Sequence, residues 1–310
     1  MKKIIASIAA LVLALSAANA QDLAQVTEIY NNGAAALSSG EKENALKSFE
    51  QALELATKLG EEGQEIVNNC KGVIPGLNLS LAKDLVKAAS YNDAIAKLKA
   101  VVEIAAKLSD DAVAEEAKTL IPQVMMQKAN GLLNAKDYDG AAAAYKEIID
   151  ADPTNGAAAL RLGAAYNAAG KIAEAKAAFE QAAANGQEAQ ANKQLANVFL
   201  KEAAAALKTK GYAAAVEAAV KANELAANPQ ALQIAAQASQ LGGKNADAIK
   251  YFEQYLEAAP TAANAGQIAY TVGALYQQAK NVAKAKEFYQ KASTDPKYGA
   301  EAKKLLDALK

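Results

Sequence analysis

The sequence predicts an all-α protein, and both its composition and its periodicity support that class. Hydrophobic residues make up 52% of the 310 residues, and many of them are alanines in runs such as 141–144 and 203–206. Alanine is the strongest helix former and adds little bulk, so the chain favours many closely packed helices. With no tryptophan, 6 prolines and 18 glycines, little in the composition argues for sheet.

The first predicted element is a secretory signal peptide at residues 1–20. Lys2 and Lys3 precede an apolar run from Ile4 to Leu15, and Ala18-Asn19-Ala20 supplies a small-residue cleavage site before Gln21. The run is shorter than the ~20 apolar residues that span a bilayer. We therefore expect cleavage after Ala20 and a soluble bacterial protein of the periplasm. The residue directly after that site is Gln21 and not a cysteine, so no lipid anchor is expected.

Downstream, one helical pattern recurs seven times: a small residue, a second residue four positions later and a third three positions after that. This spacing places all three residues on one face of a helix. The later sets begin 33 to 40 residues apart. The sets are Ala45/Phe49/Ala52, Ala94/Leu98/Val101, Ala141/Tyr145/Ile148, Ala175/Phe179/Ala182, Ala215/Ala219/Ala222, Ala248/Phe252/Tyr255 and Ala285/Tyr289/Ala292.

Each set is preceded by another apolar helix, so the predicted unit is a helical hairpin. Leu162, Gly163 and Tyr166 mark the clearest preceding helix. Antiparallel helices approach to about 8–10 Å where the side chains between them are small. We therefore expect Gly163 to contact Ala175, with Phe179 filling the space beside that contact. The predicted turns, where Gly can end a helix in the left-handed conformation, are Gly40, Lys136-Asp137, Gly170-Lys171, Lys210-Gly211, Gly242-Gly243 and Lys280-Asn281.

In the first half of the chain the repeats are longer than the later spacing of 33 to 40 residues. The stretches that lead to Ile74-Pro75 and Ile121-Pro122 are apolar-periodic and lie 47 residues apart. They predict extended first helices that bend at each proline, where a backbone hydrogen bond is lost. At the other end, 298–310 predicts a capping helix in which Ala300, Leu305 and Leu309 cover the last repeat.

These residues resemble the tetratricopeptide repeat, a helix-turn-helix unit of about 34 residues. The resemblance implies a right-handed α-α superhelix, a solenoid in which each pair covers the flank of its neighbour. It implies one domain over 21–310. Its repeats would span roughly 24–60, 61–109, 110–155, 156–189, 190–228, 229–262 and 263–297, followed by the cap at 298–310.

The composition argues against several classes of function. Without the signal peptide the chain has 31 basic and 34 acidic side chains, mostly intermingled, so nucleic acid is not expected as a partner. Histidine is absent, which removes Ser-His and Cys-His catalysis and the usual zinc ligands. The acidic pairs Glu61-Glu62, Asp110-Asp111 and Glu115-Glu116 are interpreted as residues at helix starts. We expect no catalytic site, cofactor or metal.

Two further motifs are interpreted as structural. Cys70, the only cysteine, shares a helical stripe with Val67 and Ile74 and is expected to be a buried small hydrophobe, with a reactive thiol as the alternative. The segment "NAKDYDG", residues 134–140, faintly resembles a calcium loop but has alanine at its first ligand position. Asp137 and Asp139 are therefore expected to serve in a turn and a helix cap.

In the repeat family, first helices line a concave groove that takes peptides or helices of other proteins. Carrying that register over implies a lining rich in Asn and Gln, which can donate and accept hydrogen bonds along an extended backbone. Paired Lys and Asn residues of the kind that clamp a terminal carboxylate are not matched at Met126 or Arg161. The implied lining is Met126, Asn130, Leu133, Asn134, Leu160, Asn167, Asn197, Leu200, Gln230, Gln233, Gln237, Gln240, Gln267, Tyr270, Gln277 and Gln278.

Three functions remain open at this stage. The first is a non-catalytic periplasmic scaffold that binds a protein or peptide in the groove or along an edge. The second is a periplasmic solute-binding protein that encloses a small molecule such as a glycan or lipid, which would need a deep pocket of a few hundred Å³. The third is an enzyme, which would need two convergent carboxylates. The oligomeric state is left open.

The export prediction is tested by N-terminal sequencing of the protein recovered from cells. Removal of residues 1–20 makes Gln21 the first residue, because the small side chains at Ala18 and Ala20 suit the protease site. A chain that begins at Met1 contradicts the prediction.

Overall fold

A computed structural model describes residues 20–309, and within that range the chain forms helices and turns with no strand. This confirms the all-α class. The signal peptide predicted for residues 1–20 lies, apart from Ala20, outside the described residues. The α-helices are α1 (Ala20–Ser38), α2 (Lys42–Lys58), α3 (Gln64–Lys87), α4 (Tyr91–Lys107), α5 (Asp111–Asn134), α6 (Tyr138–Ala151), α7 (Gly156–Ala168), α8 (Ile172–Ala182), α9 (Glu188–Lys208), α10 (Tyr212–Leu225), α11 (Pro229–Leu241), α12 (Asn245–Ala258), α13 (Ala265–Gln278), α14 (Val282–Ala292) and α15 (Gly299–Ala308).

The chain divides into two compact units, with the boundary between Ala151 and Asp152. The first unit contains the helix pairs α1/α2, α3/α4 and α5/α6. The second contains α7/α8, α9/α10, α11/α12 and α13/α14, followed by α15. These pairs correspond to the seven predicted repeats, and the single domain over 21–310 stays a prediction.

The second helix of each pair supplies the core. All 21 residues of the seven repeated sets are buried, and none is more than 5% exposed. In the first pair the Phe49 ring packs against Tyr30, with ring centroids 5.3 Å apart. Burial of a large apolar side chain contributes roughly 1.5–3 kcal/mol, so these rings carry much of the packing energy that a chain rich in alanine would otherwise lack.

The first helices of several pairs carry glycine where that ring lies. A Cβ atom built on Gly163 would stand 2.5 Å from the Phe179 ring, and one on Gly273 would stand 2.7 Å from the Tyr289 ring. At Gly33 the corresponding distance to Phe49 is 3.1 Å. The ring of the second helix therefore occupies the volume of the missing side chain. At Gly163 the nearest neighbour is thus the Phe179 ring, and the expected contact with Ala175 stays a prediction.

The turns within the pairs lie where they were expected, although glycine does not always supply the left-handed residue. Gly40, Gly170 and Gly243 have positive φ, but so do Lys136, Lys210 and Lys280. After Lys210, the Gly211 N–H donates to the Ala206 carbonyl at 2.8 Å and closes the helix end. A lysine in this conformation costs about 1–2 kcal/mol, partly offset by its positive charge near the helix C-terminus.

The first helices of the second and third pairs are extended, as predicted. Both α3 and α5 run for 24 residues and continue through Pro75 and Pro122. Three residues after Pro75, the Asn78 side chain donates to the Ile74 carbonyl at 3.0 Å. The bend at each proline stays a prediction.

The junction between α8 and α9 was not predicted. A π-helical segment at Ala183–Gln187 joins them, and Asn185 and Gly186 leave the helical region, with φ of 83° at Gly186. Consequently α9 starts at Glu188, two residues before the expected repeat boundary, and runs for 21 residues.

The cap is present, but one of its expected contacts is wrong. Helix α15 buries Ala302 completely, while Leu305 and Leu309 are partly buried against the last core cluster as expected. Ala300 is exposed instead of covering the last repeat. The helical stripe runs through 302, 305 and 309, and position 300 lies on the opposite side of that stripe.

The glycine contacts generate a stability prediction. Gly163→Ala should lower the free energy of unfolding by about 1–3 kcal/mol, because the added methyl group overlaps the buried Phe179 ring. The measurement is urea unfolding followed by circular dichroism.

Gly72→Ala is the matched control. Gly72 lies on the exposed side of α3, and a Cβ added there would have no heavy atom of a neighbouring group within 4 Å. The same substitution should therefore raise stability there by up to about 1 kcal/mol through helix propensity. Equal changes in the two variants would contradict the packing argument.

Candidate functional site

Cys70 is a core residue. Its side chain is fully buried in α3 together with Val67 and Ile74, which confirms the structural interpretation. Burial raises the pKa of the Cys70 thiol to about 12. A thiol that stays protonated at neutral pH is a poor nucleophile and a poor metal ligand, so Cys70 does not mark a reactive centre.

Several of the carboxylates singled out in the sequence have structural partners, and Glu61 and Glu62 lie in the 3-10 helix Gly60–Gly63 just before α3. Asp110 caps α5 by accepting from the Val113 N–H at 3.1 Å. Glu115 pairs with Lys118 at 2.6 Å, and Glu116 pairs with Lys83 of α3 at 2.5 Å. Asp137 accepts from the Gly140 N–H at 3.0 Å at the start of α6, as expected of a turn residue. Over residues 20–309, no group of three or more Cys, Asp and Glu side chains is arranged to hold a metal ion.

The predicted lining is densest in the second unit. On α11, Gln230, Gln233, Gln237 and Gln240 recur at spacings of three, four and three, which places them on one stripe. Gln230 is exposed and the other three are half-buried. On α13, Gln267 and Gln277 are exposed and Tyr270 is half-buried between them. We call these seven residues the amide lining.

Tyr270 is held by other aromatic rings. Its ring centroid lies 5.7 Å from that of Tyr289 on α14 and 5.4 Å from that of Tyr298, which precedes α15. Aromatic pairs at such distances contribute about 0.5–1.5 kcal/mol beyond their burial. Tyr270 is therefore a rigid member of the amide lining, connecting it to both the core and the cap.

Buried tyrosines orient some of the amides. The Tyr289 hydroxyl donates to Gln277 Oε1 at 2.6 Å, and burial raises the pKa of Tyr289, which keeps its proton available. The Tyr255 hydroxyl donates to Asn264 Oδ1 at 2.5 Å, and Asn264 Nδ2 in turn donates to Gln233 Oε1 at 3.4 Å. The carbonyl oxygens of Gln277 and Gln233 thus have internal donors, so their NH₂ groups are the parts left to contact a ligand.

The charge distribution separates first helices from second helices in this region. Helices α11 and α13 contain no charged residue, although charged residues form 22% of the chain. Their partners α12 and α14 carry all the charges of these four helices, such as Glu253, Lys284 and Glu287. The amide lining is therefore a neutral, polar surface that can recognise hydrogen-bonding groups but offers no ion pair.

The other predicted lining residues are more scattered. In the second unit, Asn167 lies on α7 with Leu160, and Asn197 lies on α9 with Leu200. Met126, Asn130 and Asn134 lie on one stripe of α5 in the first unit, where Asn130 Oδ1 accepts from the Tyr145 hydroxyl at 2.6 Å.

Polar contacts also join lining residues of the second unit to the neighbouring repeat. Gln233 accepts from Asn264, and Gln278 accepts from Asn245, each at 3.4 Å. Neither asparagine belongs to the predicted lining. The first bond thus joins α11 to the residue that precedes α13, and the second joins the end of α13 to the start of α12.

Sequence reasoning also missed a set of furrows between successive second helices. One of them, with a volume of about 680 Å³, lies between α12 and α14 and is bordered by Glu257, Pro260, Lys284, Phe288 and Lys291. The Lys291 ammonium lies 4.3 Å from the centre of the Phe288 ring. No residue of the amide lining borders this furrow.

A smaller furrow, bordered by α8, α9 and α10, also contains a lysine that lies over an aromatic ring. Lys176 Nζ lies 4.1 Å from the centre of the Phe199 ring and bonds both carboxylate oxygens of Glu202, at 2.7 and 2.6 Å. For the furrow between α12 and α14, the sequence signal was the position of Lys284 and Lys291 four and three residues from Phe288. Lys176 and Phe199 lie 23 positions apart, so the smaller furrow had no such signal. Lys176 forms an ion pair with Glu202, and Lys284 and Lys291 form ion pairs with Glu287. The positive charges of these lysines are therefore already partnered within the chain.

Comparison with protein families finds matches in two parts of the chain. Models of the tetratricopeptide repeat match residues 132–198 and residues 29–58. No curated protein matches the chain. In the range 20–309, no helix is long and apolar enough to cross a membrane.

Several solved structures are similar to part of the chain. A crystal structure of MamA is 20% identical, with 58% of this chain and 94% of MamA covered and a TM-score of 0.36. YrrB, described as a TPR protein with an unusual peptide-binding site, is 23% identical over 58% of this chain and 91% of YrrB, with a TM-score of 0.34. PilF of Pseudomonas aeruginosa is 17% identical over 61% of this chain and 82% of PilF, with a TM-score of 0.30.

The burial of Cys70 predicts its reactivity. The folded chain should not react with a thiol reagent such as DTNB at about pH 8, whereas the urea-unfolded chain should release one equivalent. Fast reaction of the folded chain would contradict the structural role.

The same group makes stability depend on pH. Below about pH 9 the thiol is neutral in both states. Above pH 9.0, its ordinary pKa, only the unfolded chain releases the proton, so stability should fall as the pH rises toward about 12. Cys70→Ala, which has no thiol to ionise, should lack this component in urea unfolding curves recorded across that range.

Proposed function

We propose that this chain, which is a tetratricopeptide-repeat protein, is a non-catalytic scaffold that binds an extended segment of another protein through the amide lining of its second unit. The neutral character of α11 and α13 is the observation that carries this proposal. A surface without charged side chains favours a ligand that is recognised by hydrogen bonds and apolar contacts. An extended peptide backbone offers both.

The orientation of the amides refines the proposed ligand. Tyr289 and Asn264 donate to the carbonyl oxygens of Gln277 and Gln233, so these two residues of the amide lining offer N–H donors. A peptide backbone meets donors with its carbonyl oxygens, which occur at every residue whatever the sequence. Tyr270, held between two rings, adds a flat apolar surface for a side chain of the ligand.

We also propose that the scaffold acts in the bacterial periplasm. This rests on the sequence of residues 1–20, with its basic start, short apolar run and Ala-x-Ala ending. The partner would then be an envelope protein with an exposed, extended segment.

A solute-binding protein for a glycan is the second candidate. Amide donors beside a tyrosine ring also suit sugar hydroxyl groups, so the amide lining itself favours a glycan over a lipid. This candidate predicts binding to free oligosaccharides without any peptide. A glycan array therefore separates it from the scaffold.

The test is selection of a phage-displayed library of random peptides against the purified chain, followed by calorimetry of the recovered peptides. Gln237→Glu/Gln240→Glu should weaken binding by about tenfold or more. Each change replaces an NH₂ donor by a carboxylate that repels backbone carbonyl oxygens, and a lost hydrogen bond to an uncharged group is worth about 0.5–1.5 kcal/mol.

Gln254→Glu/Gln290→Glu is the matched control, because it adds the same charge on exposed positions of the second helices α12 and α14. It should leave the affinity unchanged. Equal loss in both variants would point to a general charge effect, and loss in the control alone would place the peptide in the outer furrows. Either result contradicts the proposed surface.

A further inference from the structure

Three turns of the second unit, each within a helix pair, lie side by side. A Cβ built on Gly242 would stand 3.3 Å from the Cβ of Tyr212, so the turn of α11/α12 contacts the turn of α9/α10. Asn245 Nδ2 donates to Gln278 Oε1 at 3.4 Å, which joins the turn of α11/α12 to that of α13/α14. We call the residues of these turns and of the adjoining helix ends the turn edge. They are 208–212, 241–245 and 278–282.

The turn edge carries positive charge that its neighbours do not cancel. Its lysines are Lys208, Lys210, Lys244 and Lys280, and its other residues are uncharged. Helices α11 and α13 bring no charge to it. The closest acidic residue in sequence is Asp247, in the first turn of α12, so its inclusion leaves four lysines against one aspartate. Glu217 and Glu287, farther along α10 and α14, pair with lysines of their own helices.

The excess of lysine belongs to this edge of the unit. In the preceding pair, α7/α8, Lys171 and Glu174 offset each other in charge. The turns that join one pair to the next lie at the other end of the hairpins. Over residues 182–188, 225–229, 258–265 and 292–299 they contain the acidic residues Glu188 and Asp295 and one lysine, Lys297. Charge is therefore distributed unevenly between the two edges.

The turn edge also exposes two large apolar side chains. Leu241 is 61% exposed and Val282 is 44% exposed, and in the range 20–309 these are the two large hydrophobic side chains that are exposed. A single exposed apolar residue is ordinary on a protein surface. Here both lie on adjacent turns, three residues before Lys244 and two residues after Lys280. Apolar side chains that project among cations suit a partner with an anionic surface and an apolar interior.

Two of the lysines occupy positions that glycine would fill with less strain. Lys210 and Lys280 have φ of 61° and 58°, and Gly243 holds the same position in the turn between them with φ of 76°. A side chain in the left-handed region costs energy that glycine avoids. The positive charge near a helix C-terminus offsets part of that cost. It does not account for the exposed Leu241 and Val282 beside these lysines.

We propose that the turn edge docks on the surface of a bilayer that contains anionic phospholipids. The lysines attract the headgroup phosphates, and each lysine near such a surface strengthens binding by about fivefold. Leu241 and Val282 enter the boundary between headgroups and acyl chains, where apolar side chains leave water. The lysine stems pass along that boundary while their ammonium groups stay at the level of the headgroups.

An anionic bilayer fits the turn edge better than an acidic segment of a protein does. Protein interfaces are enriched in arginine and depleted in lysine, whereas every cation of the turn edge is lysine. A docked helix needs a groove, and the two furrows described above are not bordered by Leu241 or Val282. A row of projecting turns with flexible cations suits a fluid layer of headgroups. The proposal goes beyond the peptide site, because no residue of the amide lining belongs to the turn edge.

The test is co-sedimentation of the purified chain with vesicles. The chain begins at Gln21, so that the apolar run of residues 4–15 does not bind lipid by itself. Vesicles of equal parts phosphatidylglycerol and phosphatidylcholine should bind it about tenfold or more tightly than vesicles of phosphatidylcholine in about 10 mM salt. This binding should weaken in about 1 M salt, because the Debye length falls from about 30 Å to about 3 Å. Absence of binding to the anionic vesicles overturns the proposal.

Lys210→Gly/Lys280→Gly separates docking from turn stability. Loss of two lysines should weaken binding to the anionic vesicles by about 25-fold, at about fivefold for each charge. The midpoint of urea unfolding should not fall, because glycine adopts the left-handed conformation of both positions without strain. Undiminished vesicle binding by this variant contradicts the proposal.

Lys193→Ala/Lys297→Ala is the matched control. It removes the same charge from two exposed lysines of the second unit, one near the start of α9 and one in the turn before α15. Both lie toward the edge opposite the turn edge. This variant should bind the anionic vesicles like the wild type. Equal weakening in the two lysine variants would indicate a general charge effect and overturn the assignment to the turn edge.

Leu241→Ser/Val282→Ser tests the apolar part of the contact. Each removed methyl or methylene group that leaves water contributes to binding, so the affinity for anionic vesicles should fall by about tenfold or more. Unchanged affinity would show that neither side chain enters the bilayer, which contradicts the proposal. Binding to soluble polyglutamate without binding to vesicles would assign the turn edge to an acidic protein and also overturn it.

Discussion

The structure depends on one steric constraint, the close approach of two helices where one has no side chain and the other has a ring. At Gly163 and Gly273 the rings of Phe179 and Tyr289 occupy the space that a Cβ would take. Because the ring fills the first helix's own gap, the pair becomes a compact unit with little bulk elsewhere. The many alanines of the chain can then pack helix against helix without leaving voids.

That constraint also separates the surfaces on which function would rest. Where a ring is present, it commits one side of the second helix to the core. Charged side chains lie on the remaining sides, where Lys284 and Glu287 of α14 form an ion pair and Lys176 of α8 pairs with Glu202 of α9. The first helices α11 and α13, in contrast, contain no charged residue and form no ion pair. Peptide binding would thus use a part of the molecule that carries no charged side chains.

The periodic parts of the structure were predictable because they are local. Ala175, Phe179 and Ala182 lie within two turns of one helix, so their shared face follows from spacing alone, and the same holds for the stripe through Gln230, Gln233, Gln237 and Gln240. Contacts between helices were harder to predict. The bond from Tyr289 to Gln277 and the contact of Lys176 with Phe199 depend on how two helices are rotated about their axes. Ala300 was misassigned for the same reason, since a shift of two residues turns a helix by more than half a turn.

The hydroxyl of Tyr289 has a consequence for how such a surface can diversify. The residue that corresponds to Tyr289 is phenylalanine at 179 and 252, and the positions twelve residues earlier, which correspond to Gln277, are Asn167 and Gln240. A phenylalanine ring fills the gap equally well but cannot anchor the adjoining amide, which keeps its rotational freedom. Replacement of such a phenylalanine by tyrosine would therefore fix an amide that is otherwise free to rotate. Ligand selectivity could thus evolve in one repeat at a time through a buried residue, with no change in the surface residues.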